Sequence, residues 1–174
     1  MRLLVFGSRN LTARHLPAMR RFILAEVLYS FEHDMGPIPL DWIDDSLASR
    51  VPDDAEFLPG PLFLLHGDGP PGKTPGAVGA DKLAEIAASL EWPDTRRCRR
   101  FPPEQGPDEP WGQAAARRNA AMVAMRPDRA LCFHTDLDRS KGSAMTAEFL
   151  RKAGLGFRYI RLSGAGEVLT LEER

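Results

Sequence analysis

Short apolar runs of β type alternate along this chain with stretches whose apolar residues recur at helical spacing, and that rhythm constrains the fold most. "RLLVF" (2–6), "PLFLLH" (61–66), "RALCFHT" (129–135) and "FRYIRL" (157–162) read as strands, and alternation around Cys98 in "RRCRRF" gives one more. Met19, Phe22, Ile23, Val27 and Phe31 mark one helical stripe, with Pro17 suited to its first turn. Leu83, Ile86, Ala87 and Leu90 mark a second helix that stops before Pro93. A third runs from about Trp111 to Met125 and ends before Pro127, because the residue preceding a proline is pushed out of the helical region. The fourth runs from about Ser143 to Ala153, with Arg151 and Lys152 in its last turn and Gly154 behind it. Strands alternating with helices call for an α/β fold: a single Rossmann-like domain over 1–174, with a mainly parallel five-stranded sheet flanked by helices. The tail "GEVLTLEER" leaves room for one further short piece.

Two segments break the rhythm. Residues 36–60, with Pro37, Pro39, Pro52 and Pro59, form a long connection with one helical turn expected at "LDWIDDSLAS". Residues 102–110, "PPEQGPDEP", form another proline-rich loop, and loops of this length in a compact domain tend to be functional.

Composition excludes several classes. A net charge of −1 provides no global field to recruit nucleic acid or an anionic membrane, and "RRCRR" (96–100) is the only dense basic run. Cys98 and Cys132 are far apart with no C-x-x-C pairing, which argues against zinc and a disulfide framework and fits a reducing cytoplasm. No run approaches the ~18 apolar residues that span a bilayer. No metal or cofactor is implied, and the sequence leaves self-association into a homo-oligomer open.

Gly67 to Thr74 spells G-x-x-x-x-G-K-T, the P-loop pattern, directly after an apolar run. A working P-loop needs a helix starting at the Lys-Thr, so that its first amides face the phosphates. Here Pro75, Gly76 and Gly79 follow, and apolar periodicity begins only near Leu83. The pattern reads as chance in a loop rich in glycine and proline.

More coherent features lie elsewhere. Gly7, Ser8, Arg9 and Asn10 follow the first strand, where open parallel sheets bind ligands, and Arg9 offers a fork of donors suited to phosphate. "SKGS" (140–143) precedes the fourth helix, so Gly142 and Ser143 present amides and a hydroxyl at its positive end, with Ser140 beside them. "GAD" (79–81) opens the second helix. Asn119 falls on the apolar face of the third helix with Ala115, Met122 and Val123. It is either satisfied by a neighbouring loop or braces the ligand loops from below. Arg118, about 100° around, reaches the rim of the same crevice.

In this order, Gly-Ser-Arg after strand one, His66-Gly67…Gly-Ala-Asp81 after strand two, Arg118-Asn119, and Ser-x-Gly-Ser before the last long helix resemble the SLOG superfamily. That group is named for the DprA/Smf and LOG proteins, and the chain is most similar to its YspA/YpsA-related branch. The resemblance covers roughly 1–10, 61–92 and 111–160. It implies a crevice at the carboxyl ends of the strands that binds nucleotides or nucleotide-derived molecules, with members common in phages, mobile elements and nucleotide-signalled conflict systems. Ser8, Arg9, Ser143 and the helix-end amides would hold phosphate, and His66 and Asp81 would contact ribose or base, or brace the loop. In that family a short loop joins His-Gly to Gly-Ala-Asp, so "DGPPGKTPGAV" (68–78) is an insertion. The LOG-type enzymes carry a glutamate where this chain has Thr146, which argues for ligand binding or sensing without turnover. The rival readings are a nucleoside-monophosphate phosphoribohydrolase using Asp81 or Glu148, and DNA binding of the DprA kind through Gly-Ser-Arg and "RRCRR". Low net charge and few aromatics count against the latter.

Overall fold

The computed structural model describes residues 1–32, 62–91 and 98–174, the side chains of 28–32 and 91 excepted. Strand β1 (Arg2–Gly7) leads through a 3-10 turn at Ala13–His15 into helix α1 (Leu16–Glu32). β2 (Phe63–Gly67), α2 (Ala80–Glu91), β3 (Cys98–Phe101) and α3 (Trp111–Ala124) follow, then β4 (Arg129–His134), α4 (Lys141–Lys152), β5 (Arg158–Leu162) and β6 (Val168–Glu173). Together they form a six-stranded sheet in the order β3-β2-β1-β4-β5-β6, parallel except for β6, which runs antiparallel to β5. This is the α/β class that the strand–helix alternation predicts.

The expectation of five strands is corrected to six. "SGAGE" reverses the chain: Ser163 Oγ accepts the amides of Ala165 (3.2 Å) and Glu167 (3.1 Å), while Ser163 N donates to Glu167 O (2.8 Å). A hairpin closed in this way must pair antiparallel. β6 is an edge strand with exposed Leu169, Thr170 and Glu173, so its hydrophobic alternation is weak. The fourth helix also begins earlier than its apolar periodicity indicates. Ser140 is the N-cap, its Oγ accepting Ser143 N at 3.3 Å, so Lys141–Ser143 are the helix's first turn, not a loop before it. The 36–60 connection and its expected helical turn lie outside the described residues, as do Arg96 and Arg97.

Period-two alternation assigns the two faces of the sheet. Leu3, Val5, Leu64, Leu131 and Phe133 pack with Met19, Phe22, Ile23 and Val27 of α1 and Leu83, Ala84 and Ala87 of α2. Leu4, Phe6, Leu65 and Cys132 pack on the other face with Met122 and Val123 of α3 and Ala147 and Leu150 of α4. The strands are buried on both sides, which is why they read as continuous apolar runs. Among the described residues no helix is long and apolar enough to cross a membrane.

The order 3-2-1-4-5 means that the chain leaves β1 toward one side of the sheet and returns through β4 on the other. At such a reversal the loops after β1 and β4 diverge and leave a crevice beyond the strand ends. Gly7 sits at that point. A Cβ there would lie 2.0 Å from the Phe133 carbonyl oxygen, and the next amide, Ser8 N, donates to that oxygen at 2.9 Å. Gly7→Ala is therefore expected to cost about 2–3 kcal/mol in denaturant unfolding. Gly142→Ala, whose methyl meets nothing within 4 Å, is expected to stay within about 0.5 kcal/mol.

Candidate functional site

The loop leaving β1 organises the crevice by accepting the amides of the loop that leaves β2. Gly72 N donates to Arg9 O (2.7 Å), Val78 N and Gly79 N both donate to Leu11 O (2.7 and 2.9 Å), and Ala80 N donates to Ser8 O (2.9 Å). Thr12 and Ala77 complete the seam as an isolated antiparallel bridge. The P-loop question is answered by these bonds. Helix α2 starts at Ala80, six positions beyond Thr74, and the amides of 72, 78, 79 and 80 are spent on backbone carbonyls. Lys73 and Thr74 are exposed on the outside of this loop.

Above the end of β2, side chains from three elements converge. A Cβ at Gly67 would meet Asp81 Oδ2 at 2.8 Å and Arg118 Cζ and Nη1 at 3.1 Å, and one at Gly69 would meet Arg118 Nη1 at 3.3 Å and Arg9 Cδ at 3.9 Å. A side chain at position 67 would collide with the Asp81 carboxylate, and one at 69 would press on the Arg118 guanidinium. Asp81, Arg9 and Arg118, from α2, the β1 loop and α3, thus surround the Gly67–Gly69 segment.

Arg118 is held from below. Its Nε and Nη2 donate to Asn119 Oδ1 (3.1 and 3.0 Å), and Asn119 Nδ2 donates to Gly142 O (3.3 Å) in the first turn of α4. Asn119 is 1% exposed, and its amide is satisfied not by a neighbouring loop but by Arg118 and the first turn of α4, which ties α3 to α4. Arg118 Nη1 makes no hydrogen bond among the described residues and is the donor left facing the Gly67–Gly69 backbone.

The other expected residues divide into exposed and buried. Arg9 and Asn10 are exposed, with Asn10 Oδ1 resting where a side chain at Gly72 would stand. Ser8 is buried, and its Oγ accepts Asn10 N at 3.1 Å, so it shapes the loop from within. Ser143 is buried too, its amide taken by Ser140, which leaves Lys141 and Gly142 as the exposed positions of the α4 first turn. His66 is 1% exposed and lies on the α1–α2 face, below the crevice, with Nδ1 2.6 Å from Gly67 O. A carbonyl only accepts, so Nδ1 carries the hydrogen and the buried Nε2 is an unpartnered lone pair. Burial holds His66 below its ordinary pKa of 6.5 and so keeps it neutral.

Asp68, which the motif reading passed over, adds a second carboxylate beside this cluster. Its only sequence signal is its place directly after "LLHG". Asp81 is pushed up from 3.8 to about 7: burial is the main cause and the Asp68 charge adds to it, against the opposing pull of Arg118, the Gly69 amide and Arg9. Arg118 is lowered from its ordinary value, chiefly by burial, with Asp81 opposing and Arg9 assisting. The site is a compact arrangement of two cations and two acids, one of which exchanges its proton near neutral pH.

A concavity of about 420 Å³ opens at the opposite pole of the sheet, between Pro127–Ala130 and Gly154–Arg158. Its charges pair with each other: buried Arg158 bonds Glu26 and Glu173, and Arg129 stands 3.8 Å from Glu26. Satisfied charges of this kind offer a ligand little, and the converging free donors lie at the other end.

Comparison with protein-family models, with curated proteins and with solved structures finds no match to the chain.

A stability test follows from Asp81. The folded state keeps its proton up to about pH 7, whereas the unfolded chain releases it near 3.8, so ionisation weakens folding progressively as pH rises between those values. Asp81→Asn removes that cost. Its expected gain at pH 8 is on the order of 2 kcal/mol, or roughly 4–8 °C in Tm, shrinking as the pH falls toward 4. A lower Tm for Asp81→Asn at pH 8 would contradict this electrostatic picture.

Proposed function

We propose that the chain binds a nucleotide or nucleotide-derived small molecule through its phosphate, in the crevice beyond the carboxyl ends of β1, β2 and β4. The observation that carries the reading is the convergence of Arg9 and Arg118 on the Gly67–Gly69 backbone, with Arg118 Nη1 making no hydrogen bond among the described residues. Guanidinium groups bind phosphate through paired, charge-assisted hydrogen bonds. The exposed first turn of α4, Lys141 and Gly142, adds a positive helix end tied to the same cluster through Asn119. The resemblance to SLOG proteins supports the same ligand class and a sensing or sequestering role.

Binding without turnover is the preferred form of this proposal. Thr146, at the position of the LOG-type glutamate, is 2% exposed and donates its hydroxyl to Gly142 O at 3.3 Å, so it closes its own helix turn. Glu148 is exposed and bonds Lys152 at 2.6 Å. The raised Asp81 favours hydrolysis of an N-glycosidic bond as the second reading, because a carboxyl that keeps its proton near neutrality suits a general acid. DNA binding through the basic run loses support from the described part of that run. Arg100 is paired with Glu85, and Arg99 lies over the Phe101 ring at 5.1 Å.

Calorimetric titration with AMP and NAD tests the reading. Arg9→Ala is expected to weaken binding roughly ten- to a hundredfold, Arg9→Lys to recover only part, and Lys73→Ala to stay within a few-fold. The ligands should be recovered intact. Unchanged affinity in Arg9→Ala would remove that residue from the site, and release of free base that Asp81→Asn abolishes would establish the hydrolase reading.

A further inference from the structure

Helix α3 carries one side chain that its packing leaves unexplained. Trp111, in its first turn, is 42% exposed. Among the described residues Leu90, in the last turn of α2, and Leu169, on edge strand β6, are more exposed, but isolated surface leucines are ordinary. Trp111 differs in its position. Arg118 follows it by seven residues, about 20° short of two full turns, and Met122 continues the same stripe. Met122 is 1% exposed and faces the sheet, while Arg118 meets the last residue of β2. The stripe therefore runs up the sheet, reaches the strand end at Arg118, and continues for about 10 Å beyond it to Trp111.

Helical side chains lean toward the amino terminus, which carries the indole still farther over the strand ends. Gly112, about 100° around the helix from Trp111, is exposed as well, and a Cβ there would meet nothing within 4 Å. Loop 102–110 is tied to the neighbouring stripe by Arg117, which bonds Glu109 and the Glu104 carbonyl, and Trp111 stays 42% exposed beside it. A part-exposed aromatic side chain thus stands two helical turns from Arg118, whose Nη1 makes no hydrogen bond among the described residues. That separation suits one nucleotide, with the phosphate at Arg118 and the base at the indole.

We infer that Trp111 is the base-recognition residue of the site, stacking on the aromatic nucleobase of a ligand whose phosphate lies between Arg9 and Arg118. This rests on the proposal that the crevice binds a nucleotide. Stacking reads the aromatic face common to all bases, so the preference for one base over another is weak and the preference for a base over none is strong.

Calorimetry with AMP, GMP, UMP and ribose 5-phosphate separates the two levels. Trp111→Ala is expected to lose roughly ten- to a hundredfold in affinity for the three nucleotides and to keep its affinity for ribose 5-phosphate, while Trp111→Phe retains most of both. Unchanged nucleotide affinity in Trp111→Ala overturns the assignment and leaves the phosphate site standing. An equal loss for nucleotides and ribose 5-phosphate also overturns it, since a general disturbance of α3 would act on both. If the wild type binds none of the four probes, the nucleotide reading fails and the stacking role falls with it. Binding of a single-stranded oligonucleotide alone, lost in Trp111→Ala, would assign the residue to nucleic acid instead.

Discussion

The Phe133 carbonyl governs this structure beyond its place in the sheet. It accepts Ser8 N where a Cβ at residue 7 would stand 2.0 Å away, so the backbone of β1 closes on β4 only through glycine. From that contact the chain turns into a loop whose carbonyls at Ser8, Arg9 and Leu11 receive four amides of the loop after β2. Two loops that diverge from a parallel sheet are thereby joined into one rim. The position of Arg9, the start of α2 at Ala80 and hence the placement of Asp81 all depend on it. A buried backbone polar group left unpaired is costly, and here the pairing builds the crevice wall.

The opposite wall is set by another obligation of the same kind. Asn119 is buried in an otherwise apolar stripe and is satisfied only by accepting from Arg118 and donating to Gly142. One side chain thus aims a guanidinium and fixes the first turn of α4 relative to α3. Burial raises the cost of charge at Asp81 and Arg118, while Arg9 and Asp68 act on the same cluster from exposed positions. The proton on Asp81 is the consequence of its burial. A phosphate placed there would meet Arg118 already held in place by Asn119, which lowers the ordering cost of binding.

Much of this was legible in the chain itself. Strands buried on both faces leave continuous apolar runs, and the helices that cover them leave 3.6-residue stripes, so β1, β2, β4, β5 and α1 to α4 could be read directly. β6 was not, because an edge strand held by a hairpin needs little apolar signal. The start of α4 was displaced because an N-cap serine begins a helix before its first buried residue. Asn119 stood out as a polar residue on an apolar stripe, and that logic carried over to the structure. His66 was read as contacting ribose or base or as bracing the loop, and strand alternation buries it with its Nδ1 on the Gly67 carbonyl. Asp68 and Trp111 are single residues whose roles depend on what other elements bring near them, which no local pattern encodes.

The central claim concerns a place, the crevice above β1, β2 and β4, and amide chemical-shift mapping reads place directly. On titrating AMP into the ¹⁵N-labelled protein, the account predicts saturable shifts at Gly7–Asn10, Gly67–Gly69, Trp111–Gly112 and Lys141–Ser143. The amides of Asp128–Ala130 and Gly154–Arg158, around the charged concavity at the other pole, should stay unmoved. Shifts confined to that opposite pole, or no saturable shifts at the β1 and β2 loops with any nucleotide up to millimolar concentration, would contradict it.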